Sequence, residues 1–219
     1  MSDDDTAVYL ELGAKRVFAG AFDWPGWCRS GRDERQALDA LAAAATRYAA
    51  VAREAGVPFP SPTGLSLRVV ERLPGSFTTD FGSPGTVAAG DSEPLTREEA
   101  ARMGALVGAS WVVLDRIVAT APAVLRKGPR GGGRDRDAMF AHVVGAEVMY
   151  ARKLGIRHPE PAIGDPAAIA SLRTAIVETL RAAREGTPVV EKGWPPRYAA
   201  RRIAWHVLDH AWEIEDRSS

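Results

Sequence analysis

One segment sets the architecture: Arg201-Arg-Ile-Ala-Trp-His206-Val-Leu-Asp-His210-Ala-Trp-Glu-Ile-Glu215. Apolar residues and two histidines recur through it at helical spacing and share one face. Two imidazoles therefore interrupt a stripe that faces a protein core. The stripe consists of Ala199, Ile203, His206, His210 and Ile214. A proline pair upstream predicts that this helix begins at Pro195-Pro196 and continues to about Asp216.

Three more helices precede this one. Their boundaries follow from capping residues, from proline at the first helical position, and from glycine after the last turn. Together with the last helix, and with no strands between them, they predict a four-helix bundle over residues 95–219. The predicted helices run from the Thr96/Glu99 capping box to about Leu125, from Asp135 or Asp137 to Gly155, and from Asp165-Pro166 to before Gly186.

Residues 1–72 have a different pattern, in which short alternating segments predict strands. The interpretation is a small α+β module of order β-β-β-α-β, followed by a linker at 73–94 that is rich in glycine and proline. The fold class is thus an α+β N-terminal module followed by an all-α four-helix bundle. The predicted strands are 7–12, 16–22, 27–29 and 65–71, and the helix runs from the Asp33 cap to about Ala55.

Composition excludes several classes of protein. The 28 basic residues balance 28 acidic ones, so the chain lacks the excess positive charge of a protein that coats nucleic acid. We expect neither a specific nucleic-acid partner nor a membrane span, since no run of about 18 apolar residues occurs. The N-terminus is acidic rather than signal-like, and the single Cys28 forms no internal disulfide, so a reducing cytoplasm is the expected compartment.

The histidines are the main candidates for chemistry. His142 lies on an apolar seam of the second predicted helix, as His206 and His210 do on the fourth. If these helices are neighbours, three imidazoles meet inside the bundle, and a divalent metal would satisfy their lone pairs. Three protein ligands leave a coordination position open. The alternative is that these are hydrogen-bonded core histidines without a metal.

Known zinc-protease motifs do not fit this spacing. His206-Val-Leu-Asp-His210 has Val207 where His-Glu-x-x-His requires glutamate. It approaches the inverted motif, with Asp209 for glutamate, but only nine residues remain for the further acidic ligand. His158 is expected in a surface loop, and the sequence identifies no catalytic residue.

The segment His142-Val-Val-Gly-Ala-Glu147-Val-Met-Tyr150, together with the histidine helix, resembles the DinB superfamily. The resemblance implies a four-helix bundle that holds a divalent metal, with His142, His206 and His210 as its ligands. Zn²⁺ and Ni²⁺ both suit imidazole, and spacing does not choose between them. Related proteins include transferases and isomerases that use mycothiol, bacillithiol or glutathione, so the resemblance implies a thiol cosubstrate, and some pair as homodimers.

Residues 1–72 resemble the HicB-like antitoxin module. The resemblance rests on the strand order and on Phe22-Asp23-Trp24-Pro25-Gly26-Trp27, although a tryptophan separates Gly26 from Cys28 where the HicB pattern has a direct Pro-Gly-Cys step. No ribbon-helix-helix segment follows, so DNA recognition is not implied.

Other polar features have two interpretations each. The loop from Arg126 to Arg136 is either an anion-attracting rim or a solvated loop. Three carboxylates either orient the imidazoles or lie on solvated helix faces; these are Glu147, Asp209 and Glu213. A nucleophilic Cys28 would need a nearby base, and the sequence offers none.

Two hypotheses about function follow. The first is a metal-dependent enzyme of the DinB-like type, such as a thiol-dependent transferase or isomerase that acts on a small electrophile. The second is a non-enzymatic binding or regulatory protein, in which an antitoxin-like module is joined to a metal-stabilised bundle.

Overall fold

The computed structural model describes residues 5–61, 64–128 and 132–218. The chain begins with a four-stranded mixed sheet of spatial order β3-β2-β1-β4. β1 pairs antiparallel with β2, and β2 with β3, whereas β1 and β4 are parallel. The elements of this half are β1 (Asp5–Leu12), β2 (Val17–Ala21), β3 (Cys28–Gly31), α1 (Glu34–Ala43), α2 (Ala45–Glu54) and β4 (Ser66–Pro74).

The predicted β-β-β-α-β order is wrong in one respect, because two helices lie between β3 and β4. The chain turns at Ala44, which caps α1 and precedes α2. α1 packs on β2 and β3, while α2 packs on the long helix that follows the sheet. The turn therefore directs one helix to the sheet and the other to the helical half of the protein.

The segment predicted as a linker contains regular structure. β4 continues to Pro74, a short helix α3 spans Phe77–Phe81, and a 3-10 turn spans Ala89–Ser92. Two of its polar side chains are fully buried: Thr79 donates to the carboxylate of Glu11, and Asp91 accepts from Arg201. Glycine and proline thus shape a packed connection here rather than a free linker.

Four long helices follow, as the sequence predicts. α4 begins directly after the Thr96/Glu99 capping box, and α6 begins after Asp165, whose side chain accepts from the Ala168 amide. α4 ends five residues earlier than predicted, because the residue before Pro122 disfavours helical backbone. The helices are α4 (Arg97–Thr120), α5 (Arg136–Lys153), α6 (Pro166–Ala182) and α7 (Pro196–Asp216).

These helices share one hydrophobic core. α4 packs on both α6 and α7, and α5 also packs on α6 and α7. The fully buried side chains at the centre come from all four helices; they include Leu114, Val143, Ile176 and Ile203. The pairing of α5 with α7 brings the two histidine seams together.

The sheet half and the helical half also share a core. Leu106, Leu208 and Trp212 of the helices pack in one cluster with the sheet, α1 and α2. The cluster is flanked by the buried ion pair between Asp91 and Arg201 and by Arg47, which pairs with two carboxylates at the end of α7. The N-terminal half is therefore packed onto both α4 and α7.

Within the described residues, one helix has the length and apolar composition that a membrane crossing requires, and it is α4. The sequence predicted no such segment. α4 contacts α2, α6 and α7, and its side chains Leu106, Val107 and Leu114 are fully buried among them. Its apolar composition matches its position between the two cores.

Candidate metal centre

The three histidines predicted as ligands lie together between α5 and α7. One potential ligand atom from each of His142, His206 and His210 lies within 4.8 Å of the other two. The Nε2 atoms of His142 and His206 are 3.2 Å apart. His206 and His210 occupy successive turns of α7, and their ring centroids are 4.6 Å apart. We call these three side chains the histidine triad.

The surroundings favour the neutral form of two triad histidines. Burial, together with the neighbouring His210, Arg202, His142 and Arg134, lowers the pKa of His206 to about 2. Burial and the adjacent His210 also lower the pKa of His142. A neutral imidazole offers a lone pair, which is the form that binds a metal.

The donor set fits a divalent ion. A hydrogen bond between His142 and His206 satisfies the lone pair of one of these two imidazoles. His210 takes no part in that hydrogen bond. His210 directs its Nδ1 at the Glu213 carboxylate, 3.4 Å away, which is how ligating histidines are held. Its Nε2 is then free to face the other two rings. Three imidazole donors suit Zn²⁺ and Ni²⁺ alike.

Of the three carboxylates predicted near the imidazoles, Glu213 alone contacts one. It is held in turn by Arg217, which donates to its Oε1 at 2.9 Å. Glu147 is buried against Arg173, and Asp209 faces Arg29 at 4.0 Å. The helix-face alternative is therefore wrong for Glu147, which is 1% exposed and part of an ion-pair network.

We expect Glu213→Gln to weaken Zn²⁺ binding by about 10- to 100-fold, the range for losing an outer partner of a ligating histidine. The amide has the size of the carboxylate but lacks the charge that favours a proton on the facing Nδ1. Isothermal titration of metal-free protein with Zn²⁺ checks this. Glu160→Gln, an exposed change in the loop after α5, is the control and leaves the affinity as it was.

Two aromatic rings and Arg202 border the triad, and the sequence reasoning did not place them there. The Tyr150 ring lies 5.6 Å from that of His206, and the Trp205 ring lies 6.2 Å from it. The Arg202 guanidinium lies over both rings, 4.6 Å from the Trp205 centroid and 5.9 Å from the Tyr150 centroid. The sequence signal for this position is the spacing: Arg202 precedes His206 by one helical turn, so both side chains lie on the same side of α7.

One side of the triad is open. A Cβ atom added at Gly145, one turn after His142 on α5, would meet no other atom within 4 Å. Met149, one turn further, is 58% exposed. Small molecules can therefore approach His142 along this edge of α5.

The arginine-rich loop is tied to the end of α7. Arg217 donates to the backbone carbonyls of Arg126 and Arg134, and Lys127 pairs with Asp135. Arg134 is exposed, and its charge acts on His142 and His206. Arg136 pairs with Asp137, and Arg130 lies outside the described residues. The loop thus combines both interpretations, and the exposed Arg134 contributes positive charge near the triad.

Two other candidates lie away from the triad. His158 follows α5 and its ring nitrogens approach the Pro159 carbonyl and the Ser171 hydroxyl. Cys28 is buried in the sheet half, and burial raises the pKa of its thiol to about 12. A thiol that stays protonated at neutral pH is not a nucleophile, as the sequence predicted.

Comparison of the chain with protein-family models, with curated proteins and with solved structures found no match. The site is therefore interpreted from its own geometry.

Proposed function

We propose that this chain is a divalent-metal-dependent enzyme of the DinB-like type, with its helical half arranged as a four-helix bundle. The observation that carries the proposal is the meeting of three imidazoles from α5 and α7 at one point. Three ligands from a protein are the number found in catalytic zinc sites, whereas structural sites have four.

The reaction class that we propose is thiol transfer to a small electrophile, or thiol-dependent isomerisation. A Zn²⁺ or Ni²⁺ ion at the triad would supply Lewis-acid chemistry and lower the pKa of a thiol. His142, His206 and His210 would hold the ion, and Glu213 would fix the orientation of His210. The rings of Tyr150 and Trp205 exclude water from one side of His206, and the Gly145 edge admits the substrate.

The test of this function is turnover. The zinc-loaded protein, supplied with glutathione, mycothiol or bacillithiol, should consume a small electrophile such as a maleyl compound. His206→Ala should not do so under the same conditions. A zinc-loaded protein that is inactive with all three thiols on a panel of electrophiles would contradict the enzyme proposal.

Acid should release the metal, because each imidazole must be neutral to bind. The environment lowers the pKa values of His142 and His206, so protons compete with the metal only below the ordinary histidine pKa of about 6.5. We expect zinc to be retained at pH 7 and released only well below the ordinary histidine range, because two of the ligands have lowered pKa values. Metal analysis after gel filtration at each pH measures this, and release already at about pH 6.5 would contradict ligation by His142 and His206 in this environment.

A second candidate function has its own supporting observation. Two cavities of about 590 and 660 Å³ lie between α4 and α6 and beside His158, and no triad histidine lines either. In this alternative the triad metal stabilises a binding or regulatory protein, and the HicB-like half contacts a partner. Thermal stability that depends on metal, without thiol-dependent turnover, would favour it.

Neither candidate assigns a nucleic-acid or membrane partner. The proposed compartment is a reducing cytoplasm. A homodimer is part of the proposal by family resemblance alone, and sedimentation of the purified chain would test it.

A further inference from the structure

Arg202 is partly buried at the border of the triad, and its Nη1 is buried without a hydrogen-bond acceptor. Among residues 5–61, 64–128 and 132–218, none of the ion pairs within 4 Å includes its guanidinium. Its contacts are the faces of Trp205 and Tyr150. Buried charges in proteins are paired as a rule, so this cation lacks an anion.

The adjacent residue, Arg201, is a buried arginine that does have a carboxylate partner. Arg201 is 6% exposed, and its Nε donates to Asp91 at 3.0 Å. The other nearby carboxylate, Glu11, accepts from the Thr79 hydroxyl and from the amides of Gly85 and Thr86. These two carboxylates, Asp91 and Glu11, are therefore already engaged by other groups.

Arg202 lines a void of about 10 Å³ between α7 and residues 84–86, which is room for at most one water and too little for a carboxylate. A water could satisfy the Nη1 hydrogen but not the charge. On the triad side, Trp205 and Tyr150 border both Arg202 and His206, and one helical turn separates the two residues.

We infer that Arg202 binds a carboxylate of the substrate or thiol cosubstrate, next to the group that the triad engages. The inference rests on the proposed function and adds a substrate class to it: a small molecule with a carboxylate a few bonds from its reactive sulfur or carbonyl. Arg134, which is exposed near the triad, adds positive potential that attracts the same anions. A guanidinium is suited to this role because its donors match both carboxylate oxygens.

A matched pair of ligands tests the inference. We would titrate zinc-loaded protein with 3-mercaptopropionate and with 3-mercapto-1-propanol, which has a neutral hydroxyl in place of the carboxylate. The wild type should bind the carboxylate about tenfold or more tightly than the alcohol. Arg202→Gln should abolish that preference without changing the zinc content, and Arg202→Lys should retain part of it.

Arg97→Gln is the control for the loss of one positive charge, because Arg97 is exposed in the first turn of α4; it should keep the full preference. Equal binding of the two ligands by the wild type, no binding of either, or a preference that survives Arg202→Gln would overturn the inference. Zinc content is measured first. A chain that takes up no zinc fails the proposed function and the inference together, whereas a zinc-loaded chain without the preference fails the inference alone.

Discussion

His206→Ala is expected to weaken Zn²⁺ binding by more than about 100-fold, beyond the range that the loss of an outer partner produces. The His206 ring contacts both other rings of the triad, with centroids 5.1 Å from His142 and 4.6 Å from His210, and its Nε2 lies 3.2 Å from that of His142. Without it, two imidazoles from different helices remain, and two ligands do not fill a zinc site. Zinc titration of metal-free protein, followed by isothermal calorimetry, measures the change.

His158→Ala is the matched control, since it removes an imidazole outside the triad and should leave the affinity unchanged. His206→Gln keeps more of the buried volume, so it separates loss of the ligand from loss of packing. Circular dichroism of the metal-free variants verifies that they fold. If folded His206→Ala binds zinc as tightly as the wild type, His206 is not a ligand.

Asp91→Ala is expected to lower the free energy of unfolding by about 3–5 kcal/mol, the usual cost of removing one partner of a buried ion pair. Asp91 is fully buried, accepts from Arg201, and also accepts from the Ala88 amide at 2.8 Å. The substitution leaves a buried guanidinium and a buried amide without acceptors, where the connecting segment meets α7. Urea unfolding monitored by tryptophan fluorescence gives the value.

Asp39→Ala is the control for this experiment, because Asp39 is 68% exposed and pairs with an exposed Arg35. An exposed pair contributes about 0–1 kcal/mol, so its loss should be small. A second variant, Asp91→Asn, retains the acceptor oxygen and should cost less than the alanine change. A loss below about 1 kcal/mol in Asp91→Ala would show that the ion pair is not what joins the two halves.

The starts of α4 and α6 and the shared face of His206 and His210 could be predicted because their signals are local. Thr96 and Glu99 close a capping box three residues apart, and Asp165 precedes a proline at the first helical position. His206 and His210 share a face because they are four residues apart on a helix. Only the neighbouring position of the helix that carries His142 had to be assumed, and the contact of α5 with α7 confirms it.

The features that were missed depend on contacts between distant segments. The turn at Ala44 interrupts an alanine-rich run that has no breaker, because α1 and α2 pack on different surfaces. The connecting segment is ordered by Glu11 and Arg201, which lie far from it in sequence. Arg202 looked like any arginine on a helix, and its lack of a carboxylate became apparent only when its neighbours were known.

The central claim is that the triad holds a divalent metal. Its most direct test is inductively coupled plasma mass spectrometry of the protein purified without chelator or affinity metal, beside a variant with His142, His206 and His210 all changed to alanine. We predict about one divalent ion per chain in the wild type, as three converging imidazoles require, and almost none in the variant. Equal metal content in the two proteins would contradict the account.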